Sequence, residues 1–201
     1  MKYYAVKNGR KVGIFNSWDE CSAQVKGYSG AQFKKFESLE EAKSYIGIDS
    51  QEDLEKKNIS QDEIIAYVDG SYNKDTKDFG YGLVLIDHKG SEETFNGFMN
   101  HPEYSEHRNV AGEILASMKA IEKAIELDKK KIYIHYDYMG IKSWALGEWK
   151  AKKKLTQKYQ KFIEEKQKLI DIEFIKVLAH SNNKYNDMAD HLAKNACGIK
   201  S

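Results

Sequence analysis

Two apolar, β-prone runs of this chain each end in an aspartate. Asp69 follows the run IIAYV, and Asp137 follows the run KIYIHY. A carboxylate at the end of a buried strand is costly to desolvate unless it binds a metal ion or another partner. Two such strands therefore predict a sheet that carries one shared, charged site where they end.

Two further acids lie in segments with helical periodicity. Glu113 is early in AGEILASMKAIEKAIE, and the residues one and two turns beyond it are small, so this face can approach a sheet closely. Asp187 and Asp190 are three residues apart in the last helical segment and share a face, so that one or both can complete the site.

The ligand chemistry of these acids indicates the kind of metal. Hard oxygen donors without a cysteine or histidine cluster favour Mg²⁺ or Mn²⁺ over zinc. Cys21 and Cys197 lie far apart in the chain with no CxxC spacing, which predicts reduced, structural thiols.

Each acid also has an ordinary interpretation when it is taken alone. Asp69 in DGS suits a turn, Asp137 suits a helix cap, and Glu113 and Asp190 suit a helix surface. The functional interpretation depends on their joint placement in strand, helix, strand and helix order.

The pattern of β-prone and helical segments divides the chain into three parts. Residues 1–46 predict a small α/β unit of three strands and two helices, with a hairpin at Asn8-Gly9 and a capping box from Ser17 to Glu20. Residues 47–62 are polar and acidic and predict a flexible linker. Residues 63–201 predict an α/β domain in which a mixed five-stranded sheet is flanked by helices.

The composition bears on where the protein is located and on what it binds. No apolar run approaches the length of a membrane span, and MKYYAVKNGRK lacks the apolar core of a signal peptide, so we expect a cytoplasmic protein without a membrane partner. With 32 Lys and Arg against 31 Asp and Glu, the formal net charge is +1. This balance weakens a purely electrostatic argument for nucleic-acid binding, although acids that hold metal account for part of it.

His180 is the remaining candidate for chemistry. It follows the run IEFIKVLA and precedes Asp190 by ten residues. A histidine near a metal-bound phosphate can shuttle a proton or assist product departure, whereas the alternative is a loop histidine with no role.

At this point the motifs resemble a known family. Residues 63–201 resemble ribonuclease H type 1, through DGS, the helix glutamate, the strand-end aspartate and the H…D tail in order. Residues 1–46 resemble the RNA/DNA hybrid-binding domain found at the N-terminus of many such enzymes, through YAVKNGRKVGIFNSWDEC and FKKFESLEEA. The resemblance implies a mobile catalytic role for His180 and a set of four metal ligands, namely Asp69, Glu113, Asp137 and Asp190.

Two positions depart from the family pattern. Tyr138 follows the strand-end aspartate where much of the family has serine, and Gly112 precedes Glu113 where a larger residue is common. Neither departure removes a ligand.

The N-terminal segment combines aromatic residues with adjacent cations. The resemblance implies that Trp18 and Phe33 contact the DNA strand of a hybrid and that Lys34 and Lys35 neutralise its phosphates. The structural alternative places Trp18 and Phe36 in the core and the lysines on a solvated edge.

The second segment offers further contacts with nucleic acid. Asn109, one turn before Glu113, is placed to bind a 2′-hydroxyl or a base edge unless it is the helix N-cap. Lys152 begins a basic run that leads to Thr156, which we predict as the N-cap of a helix whose N-terminus binds phosphate. Trp144 and Trp149 would wall that channel, unless Trp144 belongs to the core.

The combined resemblance implies an endoribonuclease that cuts the RNA strand of RNA/DNA hybrids and leaves 5′-phosphate and 3′-hydroxyl ends. It implies two Mg²⁺ ions, for which Mn²⁺ can substitute, and we expect a monomer. One rival is a noncatalytic hybrid-binding protein, which the four acids oppose. The other is a DNA nuclease or integrase of the same superfamily, which the N-terminal pattern opposes.

Overall fold

The computed structural model describes residues 2–46, 59–177 and 183–199. Contacts between Cα atoms divide the chain into two compact units. The first is built around residues 2–46, and the second around residues 59–176 and 183–199.

The first unit is an antiparallel three-stranded sheet with two helices. The strand order is β2-β1-β3, and the elements are β1 (Tyr3–Asn8), β2 (Gly13–Phe15), α1 (Trp18–Val25), β3 (Gln32–Phe36) and α2 (Leu39–Ile46). The predicted capping box is present, because the Ser17 hydroxyl accepts from the Glu20 amide and the Glu20 carboxylate accepts from the Ser17 amide. Helix α1 ends just before Gly27, whose φ of +72° suits glycine.

The two faces of this small sheet pack against different helices. Val6 packs with Cys21 of α1, whereas the neighbouring Ala5 packs with Ala42 of α2. Since side chains alternate along a strand, adjacent residues of β3 also project to opposite faces.

The second unit contains a five-stranded sheet in the order β6-β5-β4-β7-β8. Strands β4, β5 and β6 pair antiparallel, while β7 pairs parallel with both β4 and β8, which confirms the predicted mixed sheet. Its elements are β4 (Glu63–Tyr72), β5 (Phe79–Ile86), β6 (Glu92–Met99), α3 (Pro102–Ser105), α4 (Asn109–Glu126), β7 (Lys131–Tyr136), α5 (Gly140–Ala145), α6 (Lys154–Lys166), β8 (Asp171–Lys176) and α7 (Lys184–Ala196).

Helix α4 lies directly on the sheet because small residues line its inner face. Ala120 and Ala124 are fully buried there, as the sequence predicted. A Cβ at Gly70 would lie 2.3 Å from the Glu113 amide nitrogen, and one at Gly112 would lie 2.0 Å from the Gly80 oxygen. This close approach accounts for glycine at position 112 and brings Glu113 against β4.

The predicted linker extends too far toward the C-terminus. Ile59 is buried, and the Asp62 carbonyl accepts hydrogen bonds from the Lys130 and Lys131 amides, at 2.7 and 3.2 Å. Residues 59–62 therefore belong to the second unit, because Asp62 extends the pairing between β4 and β7. The remaining predicted linker, residues 47–58, lies outside the described residues.

Across the three described ranges, no helix combines the length and the apolar character that crossing a bilayer requires.

Candidate active site and nucleic-acid surfaces

Three carboxylates meet where strands β4 and β7 stop pairing. The ladder between these strands ends at Tyr67 and His135. Asp69 follows on β4, and Asp137 follows the last residue of β7, while Glu113 arrives from α4. Each of these three acids offers an oxygen, and these oxygens all lie within 4.8 Å of one another.

Asp69 is not a turn residue. It lies within β4, opposite Gly82 of β5, and the strand continues to Tyr72. The Gly70 amide donates to Asp69 Oδ1 at 2.6 Å, which limits the orientation of the carboxylate.

The electrostatics of this cluster are unfavourable when all three carboxylates are ionised. Burial, followed by the negative charge of Asp137, raises the pKa of Asp69 to about 8. Glu113 is only 3% exposed, and burial together with Asp137 and Asp69 raises the pKa of Glu113 well above its ordinary value. A bound cation would offset both the burial and the mutual repulsion of these acids, because it would favour the ionised form of all three.

Asn109 supports Glu113 from one turn earlier in α4. Its side-chain amide donates to Glu113 Oε1 at 3.2 Å, which opposes the rise in the Glu113 pKa. The alternative N-cap role is wrong, because Arg108 is the N-cap and Asn109 is already helical.

Asp190 reaches the edge of the cluster from α7. Its charge contributes to the raised pKa of Asp69, but the group of three oxygen donors does not include Asp190. Instead, Lys194 donates to Asp190 Oδ2 at 2.5 Å. The group does not include Asp187 either, and His180 lies outside the described residues.

Two cations near the cluster were missed from the sequence. Lys194 is four residues beyond Asp190, a spacing that could have revealed the pair. Lys176 ends β8; burial lowers the pKa of its amine, and the charge of Asp137 opposes that effect.

An aromatic group follows Asp137. The ring centroid of Tyr138 lies 5.9 Å from that of Trp144 and 6.4 Å from that of Trp149. A Cβ at Gly140 would lie 2.3 Å from Tyr138 Cε1, so glycine there makes room for the ring. Trp144 packs on the core, as the alternative interpretation held, whereas Trp149 is 43% exposed.

The helix that follows the basic run, α6, begins earlier than predicted. Thr156 is not the N-cap, because α6 begins at Lys154 with Lys153 as its N-cap. Leu155 is buried in the core, which draws the helix start toward the N-terminus and leaves Thr156 buried as well. The Thr156 hydroxyl donates to the Lys153 carbonyl at 2.9 Å, while Lys152 is exposed.

Two lysines of this run are paired with acids from a distant segment. Lys153 Nζ lies 2.9 Å from a Glu106 oxygen, and Lys154 forms an ion pair with Glu103. Both acids lie in or beside the short helix α3, which the sequence did not predict. Both lysines are therefore paired with carboxylates in this structure.

The first unit exposes an aromatic pair. Trp18 is 48% and Phe33 is 42% exposed, and their ring centroids are 5.7 Å apart. The core interpretation of Trp18 is thus wrong, whereas Phe36 does pack in the core cluster on the α2 side, against Tyr45. Tyr4, which the sequence did not single out, extends the group with its ring 5.9 Å from Trp18.

Lys34 and Lys35 are both exposed but belong to different faces. Lys35 lies opposite Tyr4 in the β1–β3 ladder, on the face of the aromatic pair. Lys34 lies opposite Ala5, and its ammonium is 5.3 Å from the centroid of the Phe36 ring.

Comparison with known proteins assigns both units to families. Residues 61–198 match the family model described as RNase H, and residues 2–46 match the one described as Ribonuclease H1 N-terminal domain.

Some curated relatives match a short segment at high identity, and others match most of the chain at lower identity. A Ribonuclease H of Saccharomyces cerevisiae is 58% identical over 45 residues, which is 22% of this chain and 13% of that protein. A Ribonuclease H of Chlorobium phaeobacteroides is 31% identical over 150 residues, which is 68% of this chain and 96% of that protein. The matches with the first three relatives cover only 13%, 9% and 16% of those proteins.

Solved structures share the fold of the second unit. RNase H1 from Halobacterium salinarum superposes with a TM-score of 0.57 at 20% identity, covering 68% of this chain and 98% of that chain. LC11-RNase H1 in complex with an RNA/DNA hybrid superposes with a TM-score of 0.54 at 17% identity, covering 67% of this chain and 99% of that chain.

Proposed function

The chain belongs to the RNase H family, and from this premise we propose that it is an endoribonuclease that hydrolyses the RNA strand of RNA/DNA hybrids. The observation that carries the proposal is the convergence of Asp69, Glu113 and Asp137 within 4.8 Å. The solved LC11-RNase H1, which has the same fold, is in complex with such a hybrid.

The cluster fits divalent cations. Its donors are hard carboxylate oxygens, and burial followed by the charge of neighbouring acids raises the pKa of both Asp69 and Glu113. We assign the three acids of the cluster and Asp190 as ligands of two Mg²⁺ ions, with Mn²⁺ as a substitute. When bound, such ions lower the pKa of the attacking water and offset the charge that develops on the leaving 3′-oxygen.

The chain's own residues would orient these ligands. The Gly70 amide fixes one oxygen of Asp69, and Asn109 fixes one oxygen of Glu113. This prior orientation matters because small displacements of catalytic groups cost large factors in rate. The assisting role of His180 stays a prediction from the resemblance, as do the 5′-phosphate and 3′-hydroxyl ends.

The first unit would hold the substrate. The exposed rings of Trp18 and Phe33 offer a stacking surface for the DNA strand, and Lys35 on the same face offers a phosphate contact. Because the unit is covalently joined to the catalytic one, its binding would raise the local concentration of hybrid and favour repeated cutting.

A cleavage comparison tests the proposal. The full chain is incubated in Mg²⁺ with sequence-matched RNA/DNA hybrid, double-stranded RNA and double-stranded DNA, each end-labelled. We expect cleavage of the RNA strand of the hybrid alone, with 5′-phosphate at the new ends. Cleavage of DNA would instead support a DNA nuclease of the same superfamily, and hybrid binding by an inactive wild-type chain would support a binding protein.

A further inference from the structure

Lys194 forms an ion pair with Asp190 near the carboxylate cluster. The Lys194 ammonium lies 2.5 Å from Asp190 Oδ2, within a single turn of α7. Asp190 is also the one proposed metal ligand that lies outside the cluster of three oxygen donors. A charge-assisted bond of this kind occupies an oxygen that a cation would need.

The contact is shorter than in the other i,i+4 ion pair of the described residues, although two i,i+3 pairs on α4 are nearly as short, at 2.7 and 2.6 Å. Lys161 and Glu165 on α6 have the same i,i+4 spacing, yet their charged atoms are 4.0 Å apart and their side chains are 78% and 59% exposed. The Lys194 and Asp190 side chains are only 36% and 33% exposed. Their surroundings therefore confine the pair more than the surface pair is confined.

Lys194 acts on the cluster as well as on its partner. Its positive charge also acts on Asp69 of the cluster. A metal ion that binds Asp190 through Oδ2 must displace the ammonium from that oxygen. The long, partly exposed lysine stem allows the displaced ammonium to move into water.

We propose that Lys194 is a positioning residue that occupies Asp190 before metal binds and weakens the affinity of the ion that uses Asp190 as a ligand. This inference rests on the proposed metal site. Lys194 would not touch the reacting atoms, because it acts through the Asp190 carboxylate.

Metal affinity measured without substrate tests the inference. Mn²⁺ alone is titrated calorimetrically into the full wild-type chain, Lys194→Met, Lys194→Gln and the matched surface control Lys161→Met, after circular dichroism establishes that each is folded. Ion pairs of this exposure are typically worth a factor of about two to five in an equilibrium constant. We expect the weaker of two Mn²⁺ sites to tighten by that factor in both Lys194 variants, while the stronger site and the control keep wild-type values.

The alternative results separate this inference from the proposed function. If the wild type binds two Mn²⁺ ions and both Lys194 variants bind them with wild-type or weaker affinity, Lys194 does not compete for Asp190, although the metal site stands. If the wild type binds no Mn²⁺, the proposed metal site fails and the role of Lys194 fails with it. The gain should also shrink as salt is raised, because screening weakens the wild-type ion pair.

Discussion

The Asn109 side-chain amide donates to Glu113 Oε1 at 3.2 Å, across one turn of the helix that crosses the sheet. Glu113 is buried against β4, where Gly70 allows the two backbones to approach closely. The hydrogen bond therefore controls which way a buried carboxylate oxygen points, and the direction of that oxygen matters to any ion in the cluster.

We expect Asn109→Ala to lower kcat/KM for hybrid cleavage by about 10- to 100-fold, the usual value of a hydrogen bond to a charged group. The reason is that Glu113 would lose its orientation while keeping its charge. Steady-state kinetics across a Mg²⁺ series would measure the effect. Asn100→Ala is the matched control, since Asn100 bonds Thr76 and Asp78 away from the cluster. Equal rates for both variants would show that the bond to Glu113 is not needed.

Asp69→Asn and Asp137→Asn should each abolish cleavage, because each removes a ligand charge with little change in shape. In metal-free buffer at neutral pH, Asp69→Asn should also stabilise the fold by about 1–3 kcal/mol, because folding no longer has to hold a carboxyl group whose pKa burial raises to about 8. Cleavage assays and urea denaturation would measure the two effects together. A variant that retained wild-type turnover at saturating Mg²⁺ would contradict the proposed ligand set.

The stability of the metal-free protein should fall as pH rises through the interval between the two Asp69 pKa values. The pKa of Asp69 is about 8 in the folded chain, against an ordinary value of 3.8. Between these values the folded state binds more protons than the unfolded state, so each rise in pH favours unfolding. Urea midpoints from pH 5 to pH 9 would reveal this slope, and Asp69→Asn should flatten it. A slope that is the same in the variant would assign the effect to other groups.

The sequence predicted the three acids of the cluster more completely than their surroundings. Asp69 and Asp137 could be found because apolar runs lead into both, and Glu113 because small residues continue its helix face. The pairing of Glu106 with Lys153 joins segments that are distant in sequence, and no local pattern reports it. Thr156 was misplaced because a threonine suits an N-cap, whereas the burial of Leu155 sets the helix start.

Removing the two acids beside the basic run should strengthen hybrid binding. Glu106 and Glu103 hold Lys153 and Lys154 in ion pairs that a phosphate backbone must replace. We expect the double variant Glu103→Gln with Glu106→Gln to lower the hybrid Kd by about two- to tenfold, since each exposed pair contributes modestly. Anisotropy titrations in Ca²⁺ would measure the Kd without cleavage.

A control separates this local effect from the change in net charge. Glu164 and Glu165 are exposed acids of α6, and the double variant Glu164→Gln with Glu165→Gln changes the net charge by the same amount. Equal gains in both double variants would show that bulk charge, and not release of Lys153 and Lys154, controls the affinity.

The two adjacent lysines of β3 should contribute unequally to hybrid binding. Lys35 lies opposite Tyr4, on the face that carries Trp18 and Phe33, whereas the Lys34 ammonium lies over the Phe36 ring on the other face. A phosphate next to a base or sugar stacked on the aromatic pair is therefore nearer to Lys35. We expect Lys35→Ala to weaken binding several-fold and to reduce the slope of log Kd against log salt by about one unit, because one released counterion is lost.

Lys34→Ala is the matched neighbour and should change both quantities less. Salt-series titrations of the full chain would compare the hybrid affinity of the two variants. A larger loss of affinity for Lys34→Ala would show that the hybrid binds the α2 face of the sheet.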